Sequence, residues 1–202
     1  MGLLRPAGEV APVLDPLPPM PYPLATVVLN VTNKCNLSCT YCYEFGEDRI
    51  TSASASRTPR MTPETARKAI ALLFESSAGR GEVSVMFFGG ETLLNFDTVR
   101  DATLYAEERA RDAHKRVSFS LTTNATLLTD EIVEFLAAHR FGINVSIDGA
   151  RADHDRHRTF KSGRGSYDAI VPNIRKLLAA MKGGRPVGAR VTLTRGMTDV
   201  RE

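Results

Sequence analysis

The sequence predicts an α/β fold in which parallel strands are joined by helical crossovers. Three observations predict it. Short apolar or β-branched runs of strand length recur; each leads, after a loop, into a segment whose apolar residues return every three or four positions; and the order runs from β to α throughout. An open doubly wound sheet and a (β/α) barrel both use this repeating unit, so both stay open on the pattern alone.

The elements follow in order. Residues 1–23 carry prolines at 6, 12, 16, 18, 19, 21 and 23 without periodicity, and read as an extended lead-in to a core spanning 24–202. The apolar centre of a secretory signal is absent from them. Leu24 to Thr32 is a first strand, β-branched enough to be buried on both faces. Thr51 to Arg60 is small and polar, a flexible link. Thr62 caps a helix with Pro63 at its first position and Ala66, Ala69, Ile70, Leu73 and Phe74 on one face, ended by Gly79 and Gly81.

Val83 to Phe88 is a second strand, Asp97 caps a helix running to about His114, and Val117 to Thr122 is a third strand. Thr129 caps the next helix, which faces inward with Ile132, Val133, Phe135 and Leu136, and Gly142 closes the connection into a fourth strand, Ile143 to Ile147. Ser166 opens a helix that Pro172 either kinks or truly starts. Gly183 and Gly184 stop it, and Val187 to Thr194 is the fifth strand.

Composition narrows the function. The chain has 202 residues, 43% of them hydrophobic, enough for one substantial core. Its net charge of +3 is small and its lysines and arginines are dispersed, which argues against a nucleic-acid partner. The apolar runs fall far short of the roughly 20 residues that span a bilayer, so no membrane partner is expected either.

All three cysteines, Cys35, Cys39 and Cys42, fall within one short loop after the first strand. Structural cysteines scatter and disulfide cysteines pair, so three on one loop point to a shared metal centre. A closed zinc site needs a fourth ligand, and no histidine lies nearby in sequence. An iron-sulfur cube held by three thiolates keeps one iron open for chemistry. Three adjacent thiols also place the chain in a reducing cytoplasm.

The spacing Cys-x3-Cys-x2-Cys, with Tyr41 just before the last cysteine, resembles the signature of the radical S-adenosylmethionine (SAM) superfamily. Three further motifs occur in matching order: Gly89-Gly90-Glu91, Thr123-Asn124, and Ser146-Ile147-Asp148-Gly149 with a downstream His154 to Arg158. Each closes or follows a strand, the end where parallel α/β folds build their sites. By itself Gly-Gly-Glu reads as a plain turn, and His154 and His157 as solvated loop residues.

The resemblance implies a fold, two cofactors and roles for these residues. The fold is a partial (β/α) barrel, about five units of a six-unit core. A [4Fe-4S] cluster would sit on Cys35, Cys39 and Cys42, with its open iron chelated by SAM. The cluster would pass one electron to SAM and release a 5'-deoxyadenosyl radical that takes hydrogen from an unreactive carbon. Gly89, Gly90 and Glu91 would bind the methionyl ammonium, Asn124 the SAM amino acid or ribose, and Tyr41 would pack near adenine. Ser146 and Arg158 would contact SAM, with the arginine forked onto its carboxylate or ribose oxygens.

Thr92 and Ala150 stand where related sequences have proline, which would leave the loop at Thr92 less rigid. The pattern is similar to the SPASM-type maturases, including anaerobic sulfatase-maturating enzymes. That implies a peptide or protein substrate and a reductant such as flavodoxin or ferredoxin. The auxiliary clusters and the catalytic acid of those enzymes would lie beyond residue 202, so the chain reads as truncated. The alternative reading is a noncatalytic metal or iron-sulfur module, or an inactive fragment.

Overall fold

The computed structural model describes residues 22–43 and 60–195. Most of the proline-rich lead-in and of the 51–60 link lies outside them. The elements are β1 (Thr26–Thr32), α1 (Pro63–Glu75), β2 (Glu82–Gly89), a 3-10 turn (Thr92–Asn95), α2 (Phe96–Asp112), β3 (Arg116–Thr123), α3 (Asp130–Ala138), β4 (Gly142–Ser146), α4 (Arg151–His157), α5 (Tyr167–Ala180) and β5 (Val187–Arg190). No helix among the described residues is long and apolar enough to cross a membrane.

The strands form one parallel sheet in the order β1-β2-β3-β4-β5. A doubly wound sheet reverses its order at a switch point, whereas here every new strand joins the same growing edge. That is the winding of a barrel, and the five units form a partial one. Leu29, Val31, Val85, Phe87, Phe119, Leu121, Ile143 and Val145 are buried with the helix residues in a single core. Phe141 sits between Phe87 and Phe119, its ring centroid 5.9 and 5.3 Å from theirs.

The opposite face is open. Val28 is 58% exposed and its register partner Met86 is 39% exposed, so β1 is buried on one face only, contrary to the expectation from its β-branched run. A β-branched strand suits either environment, because Val and Thr favour the pleat itself.

Local chemistry explains the boundaries. Thr62 and Thr129 cap α1 and α3 by accepting from Thr65 N and Ile132 N. Asn95, not Asp97, stands at the N-cap of α2, because the 3-10 turn leads straight into the helix and Asp97 falls in its first turn. Arg140, at φ 53°, makes the left-handed turn after α3, and Gly142, expected to close the connection, already begins β4. Pro172 lies inside α5, whose start is Tyr167. β5 ends at Arg190, four residues early, because the Thr192 N–H turns away to the Asp148 carboxylate. The segment 154–157, expected as a solvated loop, is the end of α4, and His154 is buried.

Candidate active site

At the carboxyl ends of the strands lies a cavity of about 260 Å³. Cys35, Cys39 and Cys42 line it together with Tyr41, Gly89, Gly90, Asn124, Ser146 and Arg158. Five stretches of sequence thus converge on one pocket. Glu91 is the exception among the expected residues.

Glu91 is 1% exposed and its carboxylate is occupied by protein. It accepts from Leu93 N at 3.0 Å, Thr123 Oγ1 at 2.7 Å and Asn124 N at 2.7 Å. Burial pushes its carboxyl up, and these three donors pull the other way. The Glu91 side chain turns away from the cavity that was expected to hold its ligand, and braces the β2 and β3 loops together. A carboxylate so deep must be satisfied internally.

The two glycines also serve the cysteine loop. Gly90 N donates to Thr32 O and Glu91 N to Lys34 O, both at 2.8 Å. A Cβ on Gly90 would lie 2.5 Å from the Lys34 carbonyl oxygen, and one on Gly89 would collide with that of Thr32. Glycine is needed for backbone to pack on backbone here. Thr92, where less rigidity was expected, is buried and donates its hydroxyl to Thr122 O at 2.8 Å.

Asn124 ties the third motif to the first. Its Nδ2 donates to Asn36 Oδ1 at 3.0 Å and points at Cys35 Sγ at 3.8 Å, while its Oδ1 accepts from Thr126. Asn36 in turn donates to Thr126 Oγ1 at 2.8 Å. Sequence reasoning named Asn124 but not this link to the cysteine.

On the far wall, Asp148 is the hub. Arg158 forks onto it through Nε at 2.8 Å and Nη2 at 3.2 Å, Thr192 N donates at 3.0 Å, and the Tyr41 hydroxyl donates as well. The Arg158 guanidinium stands over the Tyr41 ring, 5.3 Å from its centroid. Arg158 is 7% exposed, and its fork, expected on the ligand, is taken by Asp148. Burial raises the Asp148 carboxyl, but Arg158, Thr192 and Tyr41 outweigh it and hold the group below the usual carboxylate range.

Sequence reasoning missed Arg190, which lines the same cavity beside Thr192. It is exposed, and apart from a ring contact to Phe88 at 6.0 Å its guanidinium is unengaged among the described residues. Its register partner across the ladder is Ser146. The strand-end rule that located the other motifs could have found it.

The cysteines are free thiols and half-buried. Burial raises Cys35, and it pushes Cys39 up to about 11 against the pull of Arg158. Neutral thiols are not ligands, so a bound metal must supply the charge that keeps them deprotonated. Among the described residues no three His, Cys, Asp or Glu side chains are grouped to hold one ion. A cluster seats each thiolate on a different iron, so three soft sulfurs lining one cavity fit it better than they fit mononuclear zinc.

Comparison with known proteins agrees. The profile of the Radical SAM superfamily matches residues 29–201. The chain is 31% identical over 140 residues to an uncharacterized protein of Methanocaldococcus jannaschii, covering 69% of this chain and 44% of that protein. It is 31% identical over 160 residues to a serine-type anaerobic sulfatase-maturating enzyme of Bacteroides thetaiotaomicron, covering 79% of this chain and 37% of that enzyme. Among solved structures, native anSMEcpe with bound AdoMet and Kp18Cys peptide superposes with a TM-score of 0.69 at 20% identity, covering 84% of this chain and 43% of that one. The chain thus spans less than half the length of these relatives. It belongs to the radical SAM superfamily, whose members are enzymes that use a [4Fe-4S] cluster and SAM.

Proposed function

We propose that this chain is the radical-generating core of an enzyme that abstracts hydrogen from a peptide or protein side chain. The observation that carries the reading is the single cavity into which the three cysteines, the glycine pair, Ser146 and Arg190 converge. When bound, the cluster supplies one electron that splits SAM into methionine and a 5'-deoxyadenosyl radical. A low-potential one-electron donor such as flavodoxin or ferredoxin would restore that electron.

The residues divide the work. Cys35, Cys39 and Cys42 would hold the cluster, with Asn124 steadying the Cys35 sulfur. Backbone groups of Gly89 and Gly90 would meet the methionyl ammonium, and Tyr41 would form the adenine side of the pocket. Arg190 is better suited than Arg158 to the methionyl carboxylate, because its fork is unengaged while that of Arg158 is spent on Asp148. Ser146, facing Arg190 across the ladder, would complete that contact. The peptide class rests on the sulfatase-maturating relatives and on the peptide-bound neighbour.

The test is anaerobic reconstitution with iron and sulfide, followed by dithionite and SAM. Formation of 5'-deoxyadenosine is expected, and Cys39→Ala should carry no cluster. A cluster-loaded protein that leaves SAM intact would sink the proposal.

A further inference from the structure

Behind the pocket runs a ring of hydrogen bonds to which the proposed activity gives no part. Asp148 N donates to His154 Nδ1 at 3.3 Å, and His154 Nε2 lies 2.9 Å from Ser166 Oγ. Ser166 Oγ donates to the Arg158 carbonyl at 2.6 Å, and the Arg158 guanidinium returns to the Asp148 carboxylate. The ring begins and ends at Asp148.

Its proton directions are set by its ends. An amide N–H can only donate and a carbonyl can only accept. His154 Nδ1 is therefore the acceptor, Nε2 carries the proton, and the Ser166 hydroxyl passes the direction on. Only the neutral imidazole satisfies both bonds. Burial, reinforced by the nearby Arg158 charge, holds His154 below the usual histidine range, so that form prevails at neutral pH.

The cost of the ring shows at α5. Ser166 occupies the N-cap of α5, yet its hydroxyl makes no capping bond. Thr62 and Thr129 do cap their helices. Ser166 forgoes the stabilisation of a cap and serves the ring instead, while wholly buried. Where a local rule is broken next to a site, the broken rule marks a constraint from the site.

We propose that His154 and Ser166 are positioning residues for the SAM pocket, orienting the Asp148–Arg158 pair and, through it, Tyr41 of the cysteine loop. The inference rests on the SAM assignment made above. Asp148 is suited to transmit the effect because its carboxylate also takes the Tyr41 hydroxyl and the Thr192 N–H. Tyr41 immediately precedes Cys42, and Thr192 lies two residues past Arg190. A turn of Asp148 would shift the pocket on both sides.

The test compares the whole cluster-loaded chain with Ser166→Ala, Ser166→Thr, His154→Gln and, as a pure capping control, Thr129→Ala. SAM dissociation constants, thermal midpoints and hydrogen exchange at the Asp148 amide are read for each. Ser166→Ala should weaken SAM about tenfold, the usual scale for residues that orient a binding group, and should speed Asp148 exchange. Ser166→Thr should restore affinity to within about threefold. Thr129→Ala should lower the midpoint and leave SAM affinity in place. His154→Gln keeps a donor towards Ser166 but loses the acceptor for Asp148 N–H, and should behave like Ser166→Ala; it carries the comparison if Ser166→Ala does not fold.

Unchanged SAM affinity in both Ser166→Ala and His154→Gln overturns the proposal. So does a loss that Thr129→Ala reproduces at an equal drop in midpoint. Absence of SAM binding by the unsubstituted chain overturns the SAM assignment itself, which is a distinct result.

Discussion

Replacing Asp148 with asparagine strikes the hub of the pocket at nearly constant volume. The carboxylate accepts four hydrogen bonds: Oδ1 from Arg158 Nη2 and Thr192 N, Oδ2 from Arg158 Nε and Tyr41. Asparagine offers one acceptor oxygen. If that oxygen takes the Oδ2 place, the amide NH2 confronts Arg158 Nη2 and Thr192 N–H; if it takes the other place, it confronts Arg158 Nε. Water cannot relieve the conflict, because the two side chains are only 2% and 8% exposed.

Neutralising one partner of a buried pair costs about 3–5 kcal/mol, a large share of a total stability of roughly 5–15 kcal/mol. For a chain of this size the thermal midpoint should fall by roughly 6–20 °C. Urea melts followed by far-UV circular dichroism at a series of pH values would measure it.

The pH dependence has a definite sign. Asp148 is held below its ordinary value of 3.8, so its stabilisation is complete above that value and is lost as pH falls through the lower folded one. The gap between the two proteins should therefore close in acid. A gap under about 1 kcal/mol at neutral pH, the size of one ordinary hydrogen bond, or a gap that widens below pH 4, would refute the reasoning.

Three further outcomes are expected. Gly90→Ala forces a methyl group against the Lys34 carbonyl, 2.5 Å away, and should cost about 1–3 kcal/mol while lowering the iron bound per chain on reconstitution. Arg190→Leu should raise the SAM dissociation constant about tenfold or more, with Arg190→Lys intermediate; equal affinity in all three would return the carboxylate contact to another residue. In metal-free protein the Cys39 thiol, at about 11, should be alkylated at pH 8 roughly ten times more slowly than an ordinary cysteine, the scarcity of thiolate being partly offset by its greater nucleophilicity. Rapid alkylation there would mean that the loop is open to water without its metal.

Much of the site was legible in the sequence because its motifs sit where parallel strands end, and strand ends are marked by local patterns. The cysteine spacing, Gly89-Gly90 and Ser146 needed no contacts to be recognised. What escaped was partnership. Nothing local distinguishes Arg158, spent on a buried aspartate ten residues away, from Arg190, which is unengaged. Nor does anything local tell that Glu91 turns inward, since a glutamate after two glycines reads equally well as a ligand or a brace. Nor does anything local tell that His154 is buried, where its imidazole bonds Ser166, twelve residues on.

The sequence by itself determined the α/β alternation, the N-caps at Thr62 and Thr129, and the cysteine, glycine and serine motifs of the pocket. These depend on backbone preferences and side-chain periods that act over a few residues. Only the tertiary structure decided that the sheet winds one way, since strand order is a matter of which edge each unit joins. It also decided which charges answer one another, because burial and pairing belong to distance in space. The three cysteines could announce a metal centre, but the residues that hold their loop in shape come from β2, β3 and the loop after β4, and only folding brings them together.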